Sequence, residues 1–104
     1  MAIHTYPVEH CGVHAEALEV SWQGGQFVLL VAPKGLVACG VVDPVVMNRF
    51  GAAIAIARGT PDAPLLTADD LLNAKIVEVT SAAGELGMTV GMSGREALTR
   101  LGGH

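Results

Sequence analysis

The chain has 104 residues, is 51% hydrophobic and 15% charged, and carries a net charge of −4. That length accommodates one domain over residues 1–104, and the apolar fraction excludes a disordered chain. Six Lys plus Arg against ten Asp plus Glu argue against nucleic acid as the main partner, and no apolar run approaches the roughly 20 residues that span a bilayer. MAIHTYPVEH at the start lacks the basic stretch and apolar core of a signal peptide, and two cysteines make no disulfide framework. Both features point to the cytoplasm. A mean hydropathy of +0.48 with so few charged side chains leaves apolar surface on a small domain, which predicts self-association.

In chain order, His10 to Trp22 is β-compatible, and Gln23-Gly24-Gly25-Gln26 reads as a hairpin turn. Gln26 to Ala32 is a continuous apolar run, so it predicts a strand covered on both faces. Pro33-Lys34-Gly35 turns the chain, and Leu36 to Val42 predicts a third buried strand, which completes an antiparallel meander. Asp43-Pro44 combines a preferred N-cap with the residue favoured at the first helical position, so a helix over 44–50 follows, closed by Gly51. Ala52 to Ala57 predicts a strand of small residues, and the two-proline segment over 60–66 a loop. Thr67 caps a short helix to Leu72, and Lys75 to Thr80 alternates as a strand. A turn or two of helix over 81–86 ends at Gly87, and Ser93 with Glu96 has capping-box spacing ahead of a last helix over 94–101. The fold class is α+β: an N-terminal antiparallel β-meander, then alternating short helices and strands, then a C-terminal helix.

Cys39-Gly40, Asp43, Asn48, Ala57-Arg58-Gly59, Leu71-Leu72, Val79-Thr80 and the segment Gly91-Met92-Ser93-Gly94-Arg95-Glu96-Ala97-Leu98 together resemble the YunC-like family, a domain of unknown function (number 1805) of bacteria and archaea. The resemblance covers roughly residues 26–101; residues 1–25 match only in being strand-like. It implies a small α+β protein whose N-terminal β region is a tetramerisation region, with no activity assigned. The proline-rich loop over 60–66 departs from the pattern, which puts in doubt any site that uses that loop.

Five places carry candidate chemistry, each with a plainer alternative. Cys39 lies just ahead of the helix capped by Asp43, where unpaired N–H groups stabilise a thiolate, so it is a candidate nucleophile. The alternative is a buried cysteine acting as a small hydrophobe. Asp43 is a candidate base or orienting group, although capping alone explains it. Arg58, at a strand end, suits bidentate pairing with a carboxylate or phosphate; an intersubunit ion pair with one of the ten acidic residues explains it equally. Ser93, Gly94 and Arg95 open the last helix, where free amides hold an anion unless the cap consumes them. His10, Cys11 and His14 look like a metal cluster, but on one strand the two histidines lie some 13 Å apart, so no metal or other cofactor is assigned. His104 is terminal and has no role.

The function expected is therefore that of a cytoplasmic homo-oligomer, a tetramer through its N-terminal strands, binding a small anionic molecule near Cys39, Arg58 and the Gly91–Arg95 turn. The alternatives are a thiol-dependent enzyme using Cys39 and a purely structural assembly module. Whether any catalysis occurs stays open at this point.

Overall fold

The structure, a computed structural model, describes residues 1–102, so His104 lies outside the described residues. Six strands form one sheet in sequence order. Strands β1 (Ala2–His10), β2 (Val13–Trp22), β3 (Gly25–Ala32) and β4 (Gly35–Ala38) make an antiparallel meander. Helix α1 (Pro44–Arg49) then carries the chain to β5 (Ala53–Ala57), which runs parallel to β4. Helix α2 (Ala68–Asn73) leads to β6 (Ile76–Val79), antiparallel to β5, and α3 (Ser81–Glu85) and α4 (Gly94–Thr99) finish the chain. This is the expected α+β architecture.

Three strand expectations need correction. Residues ahead of His10 form a strand of their own, joined to β2 by a turn on Cys11 (φ 51°) and Gly12 (φ 79°). Two consecutive left-handed residues make the tightest hairpin, but asparagine or aspartate normally marks the first of them. A cysteine there conceals the turn. Along β1, Pro7 pairs with Glu16; a residue without an N–H is tolerated there because β1 is the edge strand. The third expected strand stops at Ala38 rather than Val42, since Val42 N–H bonds back to Cys39 O and Val41 is exposed. Finally, β3 is fully covered on one face only: Val28 and Leu30 are fully buried, while on the other face Leu29 is half-buried against Ile54 and Ile56 and Val31 is 44% exposed.

Helix positions follow from local chemistry. Asp43 Oδ1 accepts from Val45 and Val46 N–H, at 2.9 and 3.4 Å, and caps α1. Thr67 and Asp70 form a full capping box on α2, and Ser93 Oγ accepts from Glu96 N–H at 3.1 Å to start α4. Helices α2, α3 and α4 lie on one face, closing a core with Ala17, Val28, Leu30, Val37, Leu71, Ile76 and Leu98 among its members. Gly94 is required there, because a Cβ at this position would sit 2.1 Å from Leu71 O; the two helices touch backbone to backbone. Burying each Leu or Ile stabilises the fold by roughly 1.5–3 kcal/mol before entropic costs.

On the opposite face α1 covers only Ile54, Ile56 and Ala38, with Met47 packed against them. Strand β5 is therefore buried on both faces, as its uninterrupted apolar run requires. Buried Thr80 knits β6 to β5: its hydroxyl donates to Ala52 O at 2.6 Å and accepts from Ile54 N–H at 3.0 Å. Glu19 ties the meander to α2 by accepting from Tyr6 OH and from Ala68 N–H; that hydrogen bond, with partial burial and the carboxylate's charge, pushes the Tyr6 phenol above its ordinary value.

Beyond the cluster beneath α1, against which Leu29 also packs, the second face of β1, β2 and β3 is bare. Cross-strand rows there read Ile3–Val20–Phe27, Thr5–Leu18–Leu29 and Pro7–Glu16–Val31. Trp22 lies edge-on to Phe27 at 6.0 Å, and Ile3 is 61% exposed.

Candidate functional site

The parallel step from β4 through α1 to β5 brings the carboxyl ends of two strands together, at Cys39-Gly40 and Arg58-Gly59. Open sheets present ligands with a crevice at such ends. Arg58 lies across Gly40, its Cγ and Nε each 3.4 Å from where a Cβ on Gly40 would stand. Its guanidinium pairs with Glu78 on β6. The acid that pairs with Arg58 thus comes from its own chain rather than from a second subunit, and with its side chain 52% exposed Arg58 also borders open space.

That space is a groove of about 530 Å³ whose lining includes Arg58, Thr60, Leu65, Asn73, Ala74 and Lys75. Thr60 belongs to a tight turn, with Thr60 and Ala63 exchanging backbone hydrogen bonds and Thr60 Oγ1 accepting from Ala63 N–H. The turn walls off a second hollow of about 470 Å³ that includes Cys39, Gly40, Gly59 and Thr60. Asp70 borders the first groove, and the Leu66 and Thr67 amides hold its carboxyl below the usual carboxylate range.

Not all of the expected residues meet at this place. Arg58 does, and Cys39 borders the adjoining hollow although it is only 8% exposed and packs in the main core. Arg95 reaches the groove indirectly: its Nε and Nη2 both donate to Asn73 Oδ1, at 3.2 and 3.0 Å. The backbone cradle expected around Ser93 and Gly94 is closed instead. Gly94 N–H donates to Ala74 O and Gly91 N–H to Ile76 O, while the Ser93 hydroxyl is spent on Glu96. These amides knit β6 and α2 to the last turn, so neither of them faces an anion. Asp43 is occupied as the α1 cap, and Asn48 Oδ1 accepts from Ser81 N–H at 2.9 Å.

His10 and His14 sit on opposite faces of the first hairpin, His10 paired with Val13 and His14 with Glu9. Cys11 Sγ lies 3.6 Å from His10 Nε2, and His14 Nδ1 3.5 Å from Glu9.

Asn73 and Lys75 are the groove residues that sequence reasoning missed. Lys75 reads as a solvent-facing strand end, and only its bridge to Ser93, with Cε beside Gly91, turns it toward the groove. Those partners are 16 or more positions away, so no local signal marks it. Among the described residues Lys75 has no ion-pair partner.

Fold and groove together define a small α+β protein in which a parallel strand pair, inside an otherwise antiparallel sheet, opens onto a groove bordered by cations. The chain belongs to the family of the domain of unknown function DUF1805, whose model matches residues 38–101, the stretch that carries the whole groove. It is 32% identical over 99 residues to the uncharacterised protein YunC of Bacillus subtilis (strain 168), a match covering 95% of this chain and 97% of that protein. The crystal structure of a protein of unknown function from Thermoplasma acidophilum, TA1206, has the same fold, with a TM-score of 0.87 at 23% identity over 97% of this chain and 94% of that one.

Proposed function

We propose that the protein is a cytoplasmic, self-assembling module, a homotetramer, that binds a small anion in the groove between Arg58 and Lys75. The observation that carries the anion reading is the convergence of an arginine fork, a lysine without an ion-pair partner and the Asn73 amide on one groove. Charge-assisted donors of these kinds match a carboxylate or phosphate. Self-assembly is supported by the bare face of β1, β2 and β3. Its rows carry Ile3, Val20, Phe27, Leu18, Leu29 and Val31, and a contiguous apolar sheet face of this kind marks an interface. Its occupant is a second copy, because a face with little charge beyond Glu16 and the Glu9–His14 pair at one end can meet itself about a two-fold axis without opposing like charges across its centre.

The test pairs two readouts on the intact protein. Light scattering at micromolar concentration returns a tetrameric mass, and a monomeric mass ends the assembly reading. Thermal unfolding with acetate, phosphate and sulfate shows a raised Tm that Arg58→Gln removes. A Tm unmoved by every anion ends the anion reading.

Thiol chemistry at Cys39 is the second reading, favoured by its place in the wall of the adjoining hollow. Alkylation of native Cys39 as fast as of exposed Cys11 supports it; protection until the chain unfolds returns Cys39 to the core.

A further inference from the structure

We infer that the ligand of the groove is a singly charged carboxylate bearing a short apolar body; this rests on the anion-binding reading above and narrows it. Charge is the first argument. Arg58, Lys75 and Asp70 line the groove, the Asp70 carboxylate held by two amides, while Arg95 and Glu78 stand one contact behind it, bonded to Asn73 and Arg58. Three cations against two carboxylates leave a single net positive charge, which matches a monoanion and opposes a polyphosphate.

Donor geometry is the second argument. Arg95 occupies Asn73 Oδ1 with two N–H bonds, which fixes the amide and leaves its NH₂ as a neutral donor. A neutral donor beside an arginine fork and a lysine suits the two oxygens of one planar carboxylate. The lining is the third argument. Pro64, Leu65, Leu66 and Ala74 form much of the wall, and an apolar wall next to a charged end selects a ligand with both characters. The volume of about 530 Å³ falls in the range of roughly 300–1,000 Å³ typical of small-molecule sites.

The experiment is a chemical-shift titration of the intact protein with acetate, 4-methylpentanoate, inorganic phosphate and tripolyphosphate. The expected result is that 4-methylpentanoate binds tightest, about fivefold to tenfold better than acetate, the gain from burying between one and two of its four extra carbons against an open wall at roughly 0.8 kcal/mol each. Lys75→Gln, a change at an exposed side chain that leaves the fold intact, weakens it roughly threefold to tenfold. Equal binding of acetate and 4-methylpentanoate overturns the apolar body, and tighter binding of tripolyphosphate overturns the single charge. Either result leaves the anion groove standing. If none of the four moves the amides of Arg58, Asn73 and Lys75, the anion reading fails and this inference fails with it.

Discussion

On the helix side of the sheet, Ala17, Val28, Leu30 and Val37 are fully buried beneath α2, α3 and α4, whereas on the reverse side Leu18 and Val31 of β2 and β3 pack in neither core cluster. Both sets are aliphatic and alternate along the same strands. The difference between them lies in who supplies the cover: the chain's own helices on one side, and on the other nothing within the chain. A strand such as QFVLLVA is written for burial on two faces, and its own fold satisfies one of them. The same contrast separates β3 from β5, whose second face α1 does cover.

That comparison can be broken or sharpened by substitution. Leu30→Ala, on the helix side, destabilises the fold by about 2–5 kcal/mol, read as a lower urea midpoint at unchanged slope and at every protein concentration. Asp70→Ala removes one half of the α2 capping box and costs about 1 kcal/mol. The folded carboxyl of Asp70 lies below its ordinary value, so its contribution is fully present above the unfolded value of about 3.9. It is lost as pH falls through the lowered folded value. The difference between Asp70→Ala and the parent therefore narrows in acid, which urea titrations at pH 7 and pH 3 compare. Val31→Lys, on the bare face, changes stability least, within about 0.5 kcal/mol where the chain is monomeric. It nonetheless lowers the mass seen by light scattering. A mass unchanged by Val31→Lys would move the assembly surface elsewhere.

The parts of the fold legible in the sequence are those fixed within a few residues. Asp43-Pro44, Thr67 with Asp70, and Ser93 with Glu96 each announce a helix start, and all three caps form as their spacing requires. The Cys11–Gly12 turn was hidden because the residue at φ 51° is a cysteine, so the β-compatible stretch reads from His10 to Trp22 and the residues of β1 stay unassigned ahead of it. Arg58 was legible as a strand-end cation. Its groove partners were not, because Lys75 and Asn73 are placed by Ser93, Gly91 and Arg95, contacts that no local pattern encodes. The backbone partners of the turn ahead of α4 were hidden for a related reason. The amides of Gly91 and Gly94 pair with Ile76 and Ala74, and only the folded chain brings those acceptors near.

Pro7, opposite Glu16 on the outermost strand, bears on how large an assembly can grow. A nine-residue edge strand exposes a row of backbone donors on which another strand can add, and repetition of that step yields fibres. Proline has no donor to give, and on an edge strand its nitrogen faces outward. The row is interrupted at its middle, which opposes lateral extension of the sheet past β1. Under the face-to-face assembly proposed above, a two-fold contact closes on itself and yields a finite particle instead of a filament.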